Sequence, residues 1–235
     1  MACAGRIAPR DPTGPIREVT SPPPVVGGRA KRAIDLAICV PAFVLLLPVM
    51  VAIAIWIRRD STGPALFRQE RIGANGRPFD VLKFRTMVVG AQQMGAGLAV
   101  EAGDSRITRA GAFLRRTSLD ELPQLWNVIV GQMSIVGPRP TVASQVARYS
   151  PEQRRRLEAR PGITGLAQVR GRAAIPWSQR IEIDIEYVDR WSVRLDLEIM
   201  ARTVWVVLRR QGTYREGAGG FDLPPVDEER APSTK

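Results

Sequence analysis

The feature that most constrains this sequence is a strongly apolar run without a charged residue, residues 36–57. As a helix rising about 1.5 Å per residue, the run would be about 33 Å long, which is enough to cross a bilayer. Core helices of water-soluble proteins are usually amphipathic instead. The run therefore predicts that the chain associates with a membrane near its N-terminus.

The flanks and the prolines of this run indicate its path. Basic residues stand on both sides: Arg29, Lys31 and Arg32 before it, and Arg58 and Arg59 after it. Positive residues mark the cytoplasmic side of a membrane, so a spanning helix should have asymmetric flanks. Pro41 and Pro48 each remove a backbone hydrogen bond and bend a helix. We expect a re-entrant helix that breaks near Pro48 and returns to the same face. A kinked spanning helix and a buried core helix are the alternatives.

The charge and the residue types limit the chemistry. A net charge of +11 indicates a polyanionic partner, which could be nucleic acid, an anionic membrane surface or a phosphorylated small molecule. The sequence contains no histidine, which excludes serine–histidine triads, cysteine–histidine dyads and histidine-ligated zinc. Cys3 and Cys39 form neither a disulfide framework nor a zinc motif. Nucleophilic or acid–base chemistry must then come from carboxylates, lysine, tyrosine or hydroxyls.

Composition divides the chain into four parts. Residues 1–30 and 213–235 predict disordered tails, 31–59 the membrane helix, and 60–212 a cytoplasmic domain with interfacial helices. Short apolar pieces at 65–67 and 79–82 predict strands, with a hairpin at Asn75 and Gly76. Residues 90–103 predict a mobile loop. The expected fold class is α/β, mainly helical with a few short strands.

The most informative cluster of charges lies within residues 117–140. Two adjacent carboxylates, Asp120 and Glu121, follow Arg115 and Arg116, and Arg139 stands between two prolines further on. Two acidic residues with arginines before and after them in the sequence suggest a site for anionic ligands.

Local signals place the carboxylate pair at a helix start. Ser118 and Glu121 have the spacing of a capping box. Apolar residues then recur at helical spacing: Leu122, Leu125, Trp126 and Ile129. Acids favour the positive end of a helix dipole by about 0.3–1 kcal/mol each, so simple capping is the alternative to a catalytic role.

Several other segments allow two interpretations. Lys83 and Arg85 share one face of an extended stretch, which suits either a diphosphate clamp or a solvated basic face. Within the polar helical segment 142–159, the arginines at 154–156 predict either a solvated surface or a contact to anionic lipid. Segment 181–187 could be strand or helix. Segment 193–210 could lie at a membrane interface or pack on the domain core.

The motifs together resemble those of the bacterial sugar transferase family, from about residue 31 to 210. The matching stretches occur in the family's order: Lys31-Arg32 with Asp35, Lys83-Phe84-Arg85-Thr86-Met87, residues 116–124, Trp126-Asn127-Val128, Met133-Ser134, Gly137-Pro138-Arg139-Pro140, residues 160–165, and Gln168 with Gly171-Arg172. Several separated motifs in one order are far more specific than any single one. The chain resembles the short form, without the four-helix N-terminal region of larger members.

The resemblance implies a reaction. These monotopic enzymes transfer a sugar 1-phosphate from a nucleotide diphosphate sugar, here expected to be a UDP-sugar, to polyprenyl phosphate, and so begin exopolysaccharide or glycoconjugate synthesis. By resemblance Asp120 is the nucleophile that forms a covalent phosphosugar–aspartate intermediate. Glu121 would assist it through Mg²⁺ or proton handling, and both carboxylates are the expected metal ligands.

The remaining site residues and partners follow from the same resemblance. The expected substrate-binding residues are Lys83, Arg85, Arg116, Arg139, Gln168 and Arg172. The expected partners are the donor, the polyprenyl phosphate acceptor and membrane lipids at the cytoplasmic face of the inner membrane. No nucleic-acid motif is present, and a homo-oligomer is compatible with the sequence. The alternative function is a non-catalytic membrane scaffold of a polysaccharide assembly complex.

Overall fold

A computed structural model describes residues 25–94, 104–171, 175–208 and 223. Helix α1 spans Gly28–Asp60, which is 33 residues, and it continues through both Pro41 and Pro48. It is long and apolar enough to cross a membrane. Because the helix continues through both prolines, the structure shows no break in the helical backbone near Pro48. The re-entrant path stays a prediction.

A β-hairpin follows α1. Strand β1 (Leu66–Ile72) pairs antiparallel with β2 (Pro78–Phe84), and Ala74–Gly76 form the 3₁₀ turn between them. Asn75 has a φ of 54°, a left-handed conformation that asparagine tolerates better than most residues. The predicted hairpin is confirmed, although each strand is longer than the apolar pieces that predicted it.

The carboxylate segment is built from two short helices. Helix α2 (Arg109–Thr117) ends at Ser118, a 3₁₀ turn follows at Leu119–Glu121, and α3 spans Gln124–Ile129. The predicted capping box is wrong. Ser118 has a φ of 58° and closes α2 through its backbone N–H, and its side chain accepts no capping bond. An N-cap needs an extended backbone instead.

In the part of the domain that the structure describes, the remaining elements are mainly helices, together with a second strand pair. Strand β3 (Ser134–Val136) pairs in parallel with β4 (Gly162–Thr164). The helices are α4 (Ala143–Val146), α5 (Pro151–Arg154), α6 (Leu166–Arg170), α7 (Trp177–Arg190) and α8 (Val193–Leu208). The expected mainly helical fold with a few short strands is confirmed, and segment 181–187 is helix.

Both ends of α1 pack on the same domain. Near the N-terminal end, the Asp35 carboxylate accepts hydrogen bonds from the Ser134 hydroxyl and the Ile135 N–H, both at 3.0 Å. Near the C-terminal end, Ile53 and Ile57 are buried against Phe84, Ala110 and Leu114. Between these contacts the helix exposes apolar side chains, among them Val44, Leu45, Leu47 and Val49.

Helix α8 has two apolar faces. Ile199 is buried in the core with Tyr187, whereas Leu197, Val204 and Trp205 are exposed. The two interpretations of this segment, core packing and a membrane interface, therefore apply to different faces of one helix.

The arginine run at 154–156 is not simply a surface. Arg156 is 2% exposed and pairs with the Asp184 carboxylate at 2.6 Å. Neither a solvated surface nor a lipid contact describes this third arginine, because a buried guanidinium needs a buried counter-charge. Arg155 bridges Glu152 and Asp189 on the outside instead.

The predicted tails and loop lie mostly outside the described residues. Of the 90–103 loop, only 90–94 is described, and residues 209 and 210 are also outside. Of the predicted C-terminal tail, Leu223 is described. It is buried in a cluster with Val146, Tyr149 and Ile181.

Candidate active site

A cavity of about 1140 Å³ lies between the hairpin, the carboxylate turn and helices α6 to α8. Among the described residues, its wall carries seven basic and three acidic side chains: Arg71, Lys83, Arg85, Arg115, Arg139, Arg156 and Arg180, with Asp120, Glu121 and Asp184. A partly enclosed wall with an excess of cations attracts anions, because its low-dielectric surroundings strengthen the field.

The two adjacent carboxylates have different environments. Glu121 Oε1 accepts from Lys83 Nζ at 2.8 Å and from Arg139 Nη2 at 3.3 Å. The Asp120 carboxylate makes no hydrogen bond or ion pair with any residue that the structure describes, although it lines the same cavity. One carboxylate is therefore engaged by cations, while its neighbour is available to a ligand.

The charges separate the pKa values of the pair. Burial raises the pKa of Glu121, but Lys83 and Arg139 outweigh burial and lower it to about 2. Burial and then the negative charge of Glu121 raise the pKa of Asp120 to about 6, against the opposing effect of Lys83, Arg115 and Arg139. Asp120 is thus mostly ionised at pH 7.5 and more basic than an ordinary aspartate, which favours nucleophilic attack.

Only one residue of the expected clamp reaches the carboxylates. Lys83 contacts Glu121, whereas the Arg85 guanidinium donates to the carbonyl of Ser61 at 2.8 Å and to that of Thr62. Arg85 is 5% exposed. It lines the cavity wall, and its bonds fasten the segment that leaves α1.

Of the two arginines before the carboxylates, the structure places Arg115 in the cavity and not Arg116. Arg116 is exposed and packs over the Phe113 ring at 5.9 Å. Sequence alone does not distinguish Arg115 from Arg116, because the face of α2 on which each arginine lies depends on the helical phase set by buried Ala110 and Leu114.

The other expected site residues differ in how the structure places them. Arg139 is half-exposed and contacts Glu121. Gln168 lines the cavity, donates to the Ile163 carbonyl at 3.0 Å and has a buried, unpartnered Oε1. Arg172 lies outside the described residues.

Two cavity residues had no signal in the motifs. Gln69 and Arg71 lie on β1, where alternation turns Phe67, Gln69 and Arg71 to one side and leaves Arg68 exposed. The strand register could have identified them, but the sequence predicted a shorter strand.

The carboxylate pair could contribute to a magnesium site. No group of three or more acidic or cysteine side chains suited to a metal occurs in the described part of the chain. Magnesium needs only one or two carboxylates when substrate phosphates complete its shell. The unpartnered oxygens of Asp120 fit such a shared site, and the ion pairs of Glu121 involve only its Oε1.

Comparisons with known proteins agree on one family. Residues 26–210 match the family described as Bacterial sugar transferase. The chain is 42% identical over 212 residues to a UDP-glucose:undecaprenyl-phosphate glucose-1-phosphate transferase of Caulobacter vibrioides, covering 86% of this chain and 76% of that protein. It is 41% identical over 198 residues to a UDP-galactose-lipid carrier transferase of Erwinia amylovora, covering 78% of this chain and 41% of that protein.

The relatives differ in length. The chain is 36% identical over 203 residues to an exopolysaccharide production protein of Sinorhizobium fredii, covering 80% of this chain and 90% of that protein. By contrast, it spans about two fifths of the Erwinia protein and of an uncharacterized sugar transferase of Haemophilus influenzae.

Proposed function

The chain belongs to the bacterial sugar transferase family, and we propose that it transfers a sugar 1-phosphate from a UDP-sugar to polyprenyl phosphate. The names of the Caulobacter and Erwinia relatives support this donor and acceptor. The observation that carries the proposal is the contrast between a cation-bound Glu121 and an unpartnered Asp120 in one basic cavity.

In the first step, an Asp120 oxygen attacks the sugar-bearing phosphorus of the donor. A new bond forms between that oxygen and phosphorus, the phosphoanhydride bond breaks, and nucleoside monophosphate leaves with the bond's electron pair. The product is a phosphosugar–aspartate. The repulsion between the anionic nucleophile and the diphosphate is offset by three cations, Lys83, Arg115 and Arg139. Each of them is near enough to lower the pKa of Asp120 by its positive charge.

In the second step, an oxygen of the polyprenyl phosphate attacks the same phosphorus. The bond from phosphorus to Asp120 breaks, and the carboxylate is restored as the lipid-linked sugar diphosphate forms. Two displacements suit two anionic substrates, since they need not meet at one phosphorus together.

Glu121 acts by charge in this scheme. Its pKa of about 2 keeps it ionised at neutral pH, so it is poorly suited to donate a proton. It orients Lys83 and Arg139, and its remaining oxygen, with Asp120, would hold Mg²⁺. The bound ion would neutralise phosphate charge.

The arrangement of α1 supports a re-entrant path. The Asp35 end and the Ile57 end both contact one domain, while residues between them expose apolar side chains. A spanning helix would place its ends on opposite sides of a bilayer about 30 Å thick. We expect cysteines introduced at Arg29 and Arg59, in a protein with Cys3 and Cys39 replaced, to be labelled from the cytoplasmic side. Labelling from opposite sides would refute the path.

The function is tested by turnover. Purified protein in nanodiscs is given UDP-glucose, UDP-galactose and their N-acetylated forms, with and without undecaprenyl phosphate, and UMP release and lipid-linked sugar are measured. We expect turnover with at least one donor. Asp120→Asn should abolish it, whereas Asp189→Asn, an exposed acid outside the cavity, should leave it intact. A membrane scaffold would show no turnover and would be indifferent to Asp120→Asn.

A further inference from the structure

Two arginines on neighbouring segments line the cavity, and one of them has no carboxylate partner among the described residues. Arg71 and Arg139 both line the wall. Arg139 pairs with Glu121, but Arg71 forms no ion pair with any described carboxylate, and its guanidinium donates only to the Gln69 side chain, at 2.6 Å. Burial and then the positive charge of Arg139 lower the pKa of Arg71 to about 10.

The backbone holds this pair in place. At the end of β1, the Ile72 N–H donates to the Thr141 carbonyl at 2.8 Å, which joins the strand of Arg71 to the segment of Arg139. On the other side, the buried Arg156 guanidinium donates to the Arg139 carbonyl at 3.1 Å. These hydrogen bonds hold the backbone segments of the two arginines together.

Two like charges on adjoining segments of a partly buried wall repel each other, and a bound anion would remove that electrostatic cost. Arginine is suited to that ligand, because its planar donors match phosphate oxygens in pairs. Lys83 already engages Glu121, whereas the Arg71 guanidinium meets no described carboxylate and has donors left for a second phosphate. The site thus has room for an anion besides the phosphorus that Asp120 attacks.

In-line chemistry then identifies that anion. In the first displacement the leaving phosphate departs opposite Asp120. In the second, Asp120 is the leaving group, so the attacking phosphate must approach from the side that the first one vacated. We propose that Arg71 and Arg139 form one phosphomonoester site, used first by the departing nucleoside monophosphate and then by the polyprenyl phosphate. This inference rests on the proposed function and assigns Arg71 a binding role in it.

Equilibrium binding tests the shared site without turnover. Asp120→Asn protein in nanodiscs is titrated with UMP at increasing concentrations of a short-chain polyprenyl phosphate. We expect competition, so that the apparent Kd of UMP rises in proportion to the lipid. Adding Arg71→Gln should weaken both ligands about ten- to hundredfold, the effect of losing a charge-assisted hydrogen-bond pair.

Two further variants keep the result interpretable. Arg68→Gln changes an exposed arginine on the same strand, outside the cavity, and should leave both Kd values unchanged. Arg71→Lys keeps the charge and should weaken both ligands less than Arg71→Gln. If Arg71→Gln lowers the melting temperature more than Arg68→Gln does, its weaker binding could come from lost stability. The two Kd values of Arg71→Lys then decide the outcome.

Several results would overturn the proposal. One is that UMP and polyprenyl phosphate bind at the same time. Another is that Arg71→Gln or Arg71→Lys changes the Kd of only one ligand or of neither. The third is that neither ligand binds measurably. A shared site with no turnover by the unmodified protein would instead refute the proposed function and leave the shared site standing.

Discussion

Replacing Lys83 with methionine should raise the pH at which the enzyme becomes able to attack its donor. Lys83 is the first of three cations that lower the pKa of Asp120, and that pKa is nevertheless about 6 because burial and Glu121 raise it. The attacking carboxylate must be ionised. The rate of the first step should therefore rise with pH around 6 in the unmodified protein.

The magnitude follows from this pKa. With a midpoint near 6, about a tenth of Asp120 is ionised at pH 5 and about three quarters at pH 6.5. Loss of one nearby opposite charge typically moves a carboxyl pKa by about one unit or more. With a midpoint near 7, about a quarter would be ionised at pH 6.5. The rate of Lys83→Met relative to the unmodified protein should therefore be about threefold lower at pH 6.5 than at the high-pH plateau.

The assay is single-turnover UMP release from labelled UDP-sugar without acceptor, by rapid quench between pH 4.5 and 8.5. Normalising each variant to its plateau separates the shift in midpoint from weaker donor binding. Arg68→Met serves as the control, because Arg68 is exposed on the neighbouring strand and outside the cavity. A midpoint near 4 in the unmodified protein, or no upward shift in Lys83→Met, would refute the reasoning.

Three other substitutions test the surrounding structure. Because the pKa of Asp120 is raised in the fold, its ionisation costs stability as pH rises from about 4 through 6. Asp120→Asn should therefore melt higher than the unmodified protein at pH 7.5 but not at pH 4. Arg156→Met should lose about 3–5 kcal/mol of stability by leaving a buried carboxylate unpaired, and Arg155→Met, whose ion pairs lie at the surface, should lose much less, as denaturant unfolding would show. Gly111→Ala should lose about 1–3 kcal/mol or more in the same measurement, since its Cβ would lie 1.9 Å from a backbone oxygen.

Local signals predicted local structure well. The hairpin at Asn75 and Gly76 follows from turn chemistry between two apolar pieces, and the apolar run at 36–57 does form a helix. The capping box failed although its spacing was right. Ser118 instead closes the preceding helix in a left-handed conformation, and spacing alone cannot distinguish the end of one helix from the start of the next.

The site needed tertiary information. Adjacent arginines at 115 and 116 are equivalent in sequence, but packing of α2 turns only Arg115 into the cavity. Arg156 looked like one of three surface cations, because its partner Asp184 lies 28 residues away. Arg71 carried no motif at all. Its significance comes from Arg139, which the contact between Ile72 and Thr141 brings near it.

The most direct test is to isolate the covalent intermediate. Protein is mixed with UDP-sugar labelled in the sugar, without polyprenyl phosphate, quenched within milliseconds and digested for mass spectrometry. We expect a sugar phosphate on the peptide that contains Asp120, in amounts matching the UMP released, and we expect it to be lost when polyprenyl phosphate is added. UMP release without label on that peptide, or label on another residue, would contradict it.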